Sequence, residues 1–137
     1  MAMGPMLQTL YAHQQEKGFL GAQTYFYWRG VALVQYWRSF ADLERFARSS
    51  DDPHLAPWRR FNKAVGADGS VGIFHETYQV QPGQYEAIYA NMPAFGLAQA
   101  TQHLPITGRR QSARGRMGGE DAPAMTPPSV PEAATRQ

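Results

Sequence analysis

The chain contains no cysteine, which excludes disulfide bonds and thiolate chemistry. It also has no apolar run that approaches the roughly 20 residues of a membrane-spanning helix. The N-terminus lacks the basic region followed by an apolar region that marks a signal peptide. We therefore expect a cytoplasmic protein that does not have a membrane as a partner.

The motifs of common cofactor-dependent enzymes are also missing. There is no phosphate-binding loop, no dinucleotide-binding glycine fingerprint, no cluster with zinc-ligand spacing and no Ser–His–Asp order. At 137 residues the chain is too short for an enzyme with a separate nicotinamide- or flavin-binding domain. We expect no metal site and no resident cofactor of these kinds.

Aromatic residues are absent from the C-terminal part of the chain. The last one is Phe95, and after Thr107 four prolines accompany a single β-branched aliphatic residue, Val130. Such a composition cannot bury a hydrophobic core. We therefore predict one folded domain over residues 1–106 and a disordered tail, rich in proline, arginine and alanine, over residues 107–137.

The excess positive charge also belongs to this tail. The whole chain has a formal net charge of +2, whereas residues 1–106 hold eight basic and eight acidic residues. The sequence pI of about 9.1 therefore reflects the tail arginines and not a basic face of the domain. Nucleic acid is not expected as a partner.

Periodic apolar residues predict a helix followed by a hairpin in the first third of the chain. Residues 3–11 repeat at helical spacing, and Gly18 is placed to end that helix. Strands are predicted over 19–28 and 31–37, with a tight turn at Arg29 and Gly30 between them.

A second helical region and two further strands follow. Ser39 and Asp42 have the spacing of a capping box at the start of a helix. Residues 54–65 resume helical spacing, with Pro57 tolerated in the first turn. The remaining predicted elements are strands over 71–80 and 84–91, a turn at 82–83 between them, and a short helix within 93–104.

Both faces of the predicted sheet are apolar. In the second strand of the hairpin, Leu33 and Trp37 face one way, whereas Val34 and Tyr36 face the other. A sheet covered by helices on one face only would alternate apolar with polar residues. We therefore expect helices on one face and a second copy of the chain on the other, which makes a homodimer the predicted assembly.

The chain contains several distinctive segments in a fixed order, namely 34–40, 42–44, 54–55, 58–62, 72–78 and 83–86. Together they resemble a family of small bacterial and fungal proteins described as monooxygenase-like. The resemblance implies an α+β, ferredoxin-like dimeric α/β-barrel, an antiparallel sheet with helices on one face. Members of the family begin with a strand before the first helix, and this sequence opens almost directly on the helix. Either the first strand is encoded upstream of Met1, which we favour, or the fourth strand or a partner replaces it.

A histidine and a glutamate stand side by side in the third predicted strand. Titratable groups in a buried strand are costly unless they are paired, hydrogen-bonded or used. Successive strand side chains point to opposite faces, so His75 and Glu76 cannot share one pocket. We expect His75 to point into a site, and Glu76 to face the dimer interface or to pair with an arginine such as Arg38.

The resemblance, together with a small aromatic-lined cavity expected between sheet and helices, implies a cofactor-independent monooxygenase-like enzyme. Its substrate would be an apolar or aromatic small molecule of secondary metabolism or detoxification. His75 is the expected base, and Asn62, Trp58 and Tyr78 would orient the substrate and stabilise its anion. The residues expected to bind the substrate are Tyr36, Phe74 and His54.

Two other functions fit the same residues. Related α/β-barrel dimers bind haem through a histidine, so His75 or His54 is the axial ligand of the alternative haem-binding protein. The third hypothesis is a non-catalytic dimer whose aromatic cavity holds an apolar ligand.

Overall fold

The computed structural model describes residues 3–49, 55–66 and 68–120, which form an α+β structure. The helices are α1 (Met3–Ala12), α2 (Gln14–Lys17), α3 (Phe40–Arg48), α4 (Leu55–Val65), α5 (Leu97–Ala100) and α6 (Ala113–Arg116), with a 3₁₀ helix over Gly108–Gln111. The strands are β1 (Phe19–Tyr27) and β2 (Gly30–Trp37). None of the helices in these ranges is long and apolar enough to cross a membrane.

The predicted hairpin is confirmed. Strands β1 and β2 pair in antiparallel orientation, from Phe19 opposite Trp37 to Tyr27 opposite Gly30, with one irregularity between Phe19 and Gly21. This irregularity shifts the register by one residue at the base of the hairpin. Phe19 and Trp37 are thereby opposed at the end that meets the helices.

The predicted first helix is confirmed and ends at Gly18, after a break between α1 and α2. Gly18 has the left-handed conformation, with φ of 70°, which glycine adopts without a steric penalty. A Cβ atom at this position would also collide with the Asp42 carboxylate. Glycine is therefore required here for two independent reasons.

The hydrophobic core lies between the base of the hairpin and the helices α1 and α3. Leu10, Phe19 and Phe46 are buried at its centre. The Phe19 and Trp37 rings meet edge to face at 5.3 Å, and the Trp37 and Phe46 rings lie 5.4 Å apart. The helices α1 and α3 thus pack against the base of the hairpin. That helices cover a whole face of the sheet stays a prediction.

The predicted capping box of α3 is also confirmed. The Asp42 backbone N–H donates to the Ser39 hydroxyl, and that hydroxyl donates to the Asp42 carboxylate at 2.8 Å. Arg38 and Arg45 each donate to the same carboxylate at 3.0 Å. Hydrogen bonds from Arg38 and Ser39 hold the pKa of Asp42, a residue only 4% exposed, below its ordinary value.

The second face of the hairpin is covered in part by the segment that contains α5. The Gln23 side-chain amide donates to the Gln99 side-chain oxygen at 2.6 Å, and the Tyr25 and Phe95 rings lie 6.2 Å apart. The chain itself therefore supplies part of the cover on this face, and a second copy of the chain over it stays a prediction. The cover is incomplete, since Tyr25 and Val34 remain 40% and 42% exposed.

The strands predicted over 71–80 and 84–91 do not form, and this part of the prediction is wrong for the single chain. Both segments lack regular secondary structure, although the turn at 82–83 between them is present, with the Gln84 N–H donating to the Gln81 carbonyl at 3.1 Å. A strand exists only when a second strand pairs with it. No described strand pairs with either segment.

The later helices follow the prediction in part. Helix α4 contains Pro57 in its first turn, and α5 is the short helix expected within 93–104. Within the region assigned to the tail, residues 108–116 are helical, and the Arg116 guanidinium bonds the Glu86 carboxylate at 2.6 Å. The division of the chain at residue 106 stays a prediction, since residues 121–137 lie outside the described ranges.

Candidate functional site

His75 lies in the segment 71–80, which has no regular secondary structure, and is exposed to solvent. Its imidazole makes no hydrogen bond or ion pair with any residue in the described ranges. The neighbouring Phe74 side chain is 75% exposed. Both side chains are therefore free to contact a ligand, and neither is enclosed by the single chain.

Glu76 and Tyr78 form a hydrogen-bonded pair beside His75. The Tyr78 hydroxyl donates to the Glu76 carboxylate at 2.7 Å. This hydrogen bond, and the negative charge of Glu76, raise the pKa of the Tyr78 phenol. Side chains two residues apart share a face of an extended chain, and those three apart do not. The structure thus brings Tyr78 together with Glu76 and not with His75.

The site residues predicted on the second helical region are only partly located. Trp58 and Asn62 belong to α4 and lie four residues apart, so they share one side of that helix. Their side chains, and the whole of His54, lie outside the described part of the chain. That these three residues approach His75 stays a prediction.

Tyr36 belongs to a cluster of three tyrosines on the second face of the hairpin. Burial raises the pKa of the Tyr36 phenol, and unfavourable charge interactions with Tyr25 and Tyr89 raise it further. The Tyr89 hydroxyl accepts a hydrogen bond from the Ala98 N–H at 3.1 Å. Tyr36 is therefore a neutral phenol near pH 7, able to donate a hydrogen bond.

Gly96 brings the covering segment close to this cluster. A Cβ atom on Gly96 would lie 3.2 Å from the Tyr36 hydroxyl and 3.9 Å from the Tyr89 hydroxyl. The residue also has a positive φ of 57°, which other residues rarely adopt. His103 lies edge to face against the Tyr89 ring at 5.4 Å. The Tyr36 and Tyr89 hydroxyls thus both lie close to residue 96, a position that only glycine fits.

Sequence reasoning singled out Tyr36 but missed Tyr89, Gly96 and His103. Tyr89 lies in a segment predicted as a strand, where an alternating aromatic is ordinary. Gly96 precedes a predicted short helix, where glycine is also common. The cluster depends on contacts between residues about 60 positions apart in the chain, and no local pattern encodes them.

No group of three histidine, aspartate or glutamate side chains in the described ranges is placed to hold a metal ion. An open depression of about 380 Å³ lies along residues 11–16, and it includes none of the predicted site residues. The aromatic-lined cavity inferred from the sequence stays a prediction.

Comparison with known proteins gives one family and one curated relative. The family model described as "Monooxygenase af470-like" matches residues 1–97. The relative, "Monooxygenase af470" of Aspergillus fumigatus, is 33% identical over 94 residues, which cover 63% of this chain and 32% of that protein. The chain thus spans about a third of the length of the relative. No solved structure matches.

Proposed function

We infer the function from one premise, that the chain belongs to the Monooxygenase af470-like family. We propose that it is a small oxidoreductase, a cofactor-independent monooxygenase acting on an apolar or aromatic small molecule of secondary metabolism or detoxification. We propose further that it works in the cytoplasm as a homodimer with the ferredoxin-like α/β-barrel arrangement. Neither nucleic acid nor a membrane is part of this proposal.

The proposed reaction needs no external reductant. A base removes a proton from an acidic CH₂ group of the substrate, and the carbanion reduces O₂ to form a carbon-bound peroxide. Loss of the second C–H proton and cleavage of the O–O bond release water and leave a carbonyl group. The four electrons that reduce O₂ come from the two C–H bonds, so CH₂ and O₂ give C=O and H₂O.

His75 is the proposed base. Its imidazole is exposed and engages no other described residue, so a substrate proton can reach it. Phe74 offers an exposed aromatic surface to an apolar substrate. Adjacent side chains of an extended chain point to opposite sides, so Phe74 and His75 would contact the substrate from different sides of the segment. Tyr36 is the proposed hydrogen-bond donor to the substrate anion, and its raised pKa keeps its phenol protonated near neutral pH. The Tyr78 hydroxyl donates to Glu76, so the role of Tyr78 as a second donor requires that hydrogen bond to be broken.

Trp58, Asn62 and His54 complete the proposal as residues that orient the substrate. Trp58 and Asn62 share one side of α4, so they can act together on one ligand. The observation that carries the whole proposal is the family match over residues 1–97.

Oxygen consumption with a hydroxylated anthrone tests the proposal, because this compound has an acidic CH₂ group between two aryl rings. His75→Gln should lower the rate at least about 100-fold, the usual contribution of a general base. His13→Gln is the matched control, since His13 is exposed and lies between α1 and α2. Equal rates for the His75 variant and the control would contradict the role of His75.

The absorption spectrum of the purified protein tests the proposed absence of a cofactor. A featureless visible region fits cofactor-independent chemistry. A Soret band that shifts in His75→Gln would show haem ligation instead, and the monooxygenase mechanism above would then be wrong.

A further inference from the structure

One edge of the hairpin is bonded by its own chain at Ala22, and the other edge makes no backbone hydrogen bond with a described residue. The Tyr11 hydroxyl donates to the Ala22 carbonyl at 3.2 Å and accepts from the Ala22 N–H at 3.1 Å, so both groups point away from β2. Ala22 lies opposite Gln35, whose backbone groups must therefore point away from β1. Because this direction alternates along a strand, Val31 and Leu33 share it. No described element bonds to this edge of β2.

The segment 71–80, which we call the arm, has no partner strand in the described chain. Its backbone groups make no hydrogen bond to other residues in the described ranges. Its apolar side chains are between 47% and 77% exposed, namely Val71, Ile73, Phe74, Tyr78 and Val80. An apolar surface of this kind on a folded chain marks a site of interaction.

We propose that the arm of one copy adds as a strand to the open β2 edge of a second copy, and that the second copy returns its own arm. This inference rests on the homodimer of the proposed function. The lengths agree, since β2 has 8 residues and the arm spans residues 71–80. Each chain carries one edge and one arm, so the exchange closes with two-fold symmetry and leaves neither unpaired.

Charge favours a second copy as the occupant. Between residues 18 and 41 the chain has no acidic residue, and Arg29 at the hairpin turn makes no ion pair with a described residue. The arm has no lysine or arginine, and its Glu76 bonds only to Tyr78 in the described ranges. The hairpin of one copy therefore attracts the arm of the other.

The area is also sufficient for a stable dimer. Burial of an aromatic side chain removes about 150–250 Å² from water. Two arms contribute four such rings, from Phe74 and Tyr78, together with three aliphatic side chains each. With the β2 surface that they cover, the two arms reach the lower end of the about 1,200–2,000 Å² that specific interfaces bury.

The exchange completes the proposed site. In the single chain the arm presents His75 to solvent, away from any described partner. In the exchanged dimer His75 lies beside the partner's β2, the strand that carries Tyr36. Base and phenol then come from different copies, and a single copy holds an incomplete site.

Thr77→Pro tests this inference. The Thr77 N–H makes no hydrogen bond in the described chain, so proline costs the monomer little and removes a donor that an added strand needs. Ala94→Pro is the matched control, because Ala94 is exposed, has no hydrogen-bonded N–H in the described chain and lies outside the arm. We expect a wild-type dimer by light scattering at micromolar concentration, and dimerisation weakened at least about tenfold in Thr77→Pro alone.

Amide exchange and cross-linking separate the alternatives. Supporting results are slow exchange at Val31, Leu33 and Gln35 and within 71–80 that is lost on dilution, and a heterodimer when copies bearing Thr77→Cys and Val34→Cys are joined by a short thiol cross-linker. The cysteine-free chain makes that cross-link unambiguous. A monomeric wild-type protein would overturn the exchange, whether or not its arm amides are protected. A dimer that Thr77→Pro does not weaken would also overturn it. None of these readouts measures turnover, so the exchange and the proposed reaction can fail separately. A monomer with activity would refute the exchange but not the reaction. An exchanged dimer without activity would refute the reaction but not the exchange.

Discussion

At the scale of single residues, several of the described polar contacts meet at one group, Asp42. It accepts hydrogen bonds from Ser39, Arg38 and Arg45 while its side chain is almost fully buried. Its carboxylate joins the start of α3 to the end of β2, directly above Gly18. The relative arrangement of the hairpin and α3 therefore depends on one ionised side chain.

The pH dependence of stability should reveal this carboxylate. Because the pKa of Asp42 is lowered on folding, its contribution is fully present above the unfolded pKa of about 4 and is lost as the pH falls through the lower folded value. Asp42→Asn should lower Tm by several degrees at pH 7 and flatten the fall of Tm between about pH 5 and pH 2. Thermal unfolding followed by circular dichroism measures both effects.

Glu44→Gln is the matched control for this prediction. Glu44 lies on the same helix and pairs with Arg48 at 2.8 Å, but both side chains are substantially exposed. Such a surface pair contributes about 0–1 kcal/mol. If the Glu44 and Asp42 variants lose equal stability, or if the Asp42 variant keeps the wild-type acid profile, the role of Asp42 is wrong.

At the scale of elements, an ion pair between Arg116 and Glu86 links the segment 108–119 to a residue about 30 positions earlier in the described chain. The Arg116 guanidinium bonds the Glu86 carboxylate and donates to the Arg110 and Gln111 carbonyls at 2.8 and 3.0 Å. The Arg116 and Glu86 side chains are 12% and 29% exposed. One side chain therefore closes the 3₁₀ helix and holds it against the extended segment.

Glu86→Gln should loosen this segment without unfolding the protein. The N–H groups of Arg116 and Met117 donate within the segment, and their amides should exchange several-fold faster once the ion pair is lost. Glu120→Gln is the control, a charge change in the same region of the chain. Unchanged amide exchange in Glu86→Gln would show that other contacts hold the segment, whereas a drop in global Tm of many degrees would show that it is part of the core.

The sequence predicted those elements whose signals are local. Gly18, the hairpin turn and the Ser39 cap each act within a few residues of the backbone that they shape, so their effects can be inferred without a fold. Helix α4 and the turn at 82–83 belong to the same class. Their prediction needed only spacing and turn chemistry.

The elements that depend on distant partners were not predictable in this way. The arm has the composition of a strand, but pairing requires an edge that the chain must supply from elsewhere. The helical turns at 108–116 depend on Glu86, about 30 residues away. Of the candidate site, His75 and Tyr36 were identified by residue type, whereas the approach of Tyr89 and Gly96 to Tyr36 required the fold.

At the scale of the whole molecule, apolar surface is distributed unevenly over the described chain. One end of the hairpin is packed against three helices, and the other end carries Phe26 and Trp28 at 76% and 95% exposure. The arm lies open to solvent with its histidine. In the proposed exchanged dimer, burial of this apolar surface would stabilise the assembly and enclose the proposed site from water.

The central claim is that this member of the Monooxygenase af470-like family inserts one atom of O₂ into an apolar substrate without a cofactor. The most direct measurement is mass spectrometry of the product formed from a hydroxylated anthrone under isotopically labelled O₂. The account predicts one labelled oxygen atom in the new carbonyl group, formed by wild-type protein in the absence of added metal, flavin or reductant and lost in His75→Gln. A product without label, or labelling at the same rate in the protein-free control, would contradict it.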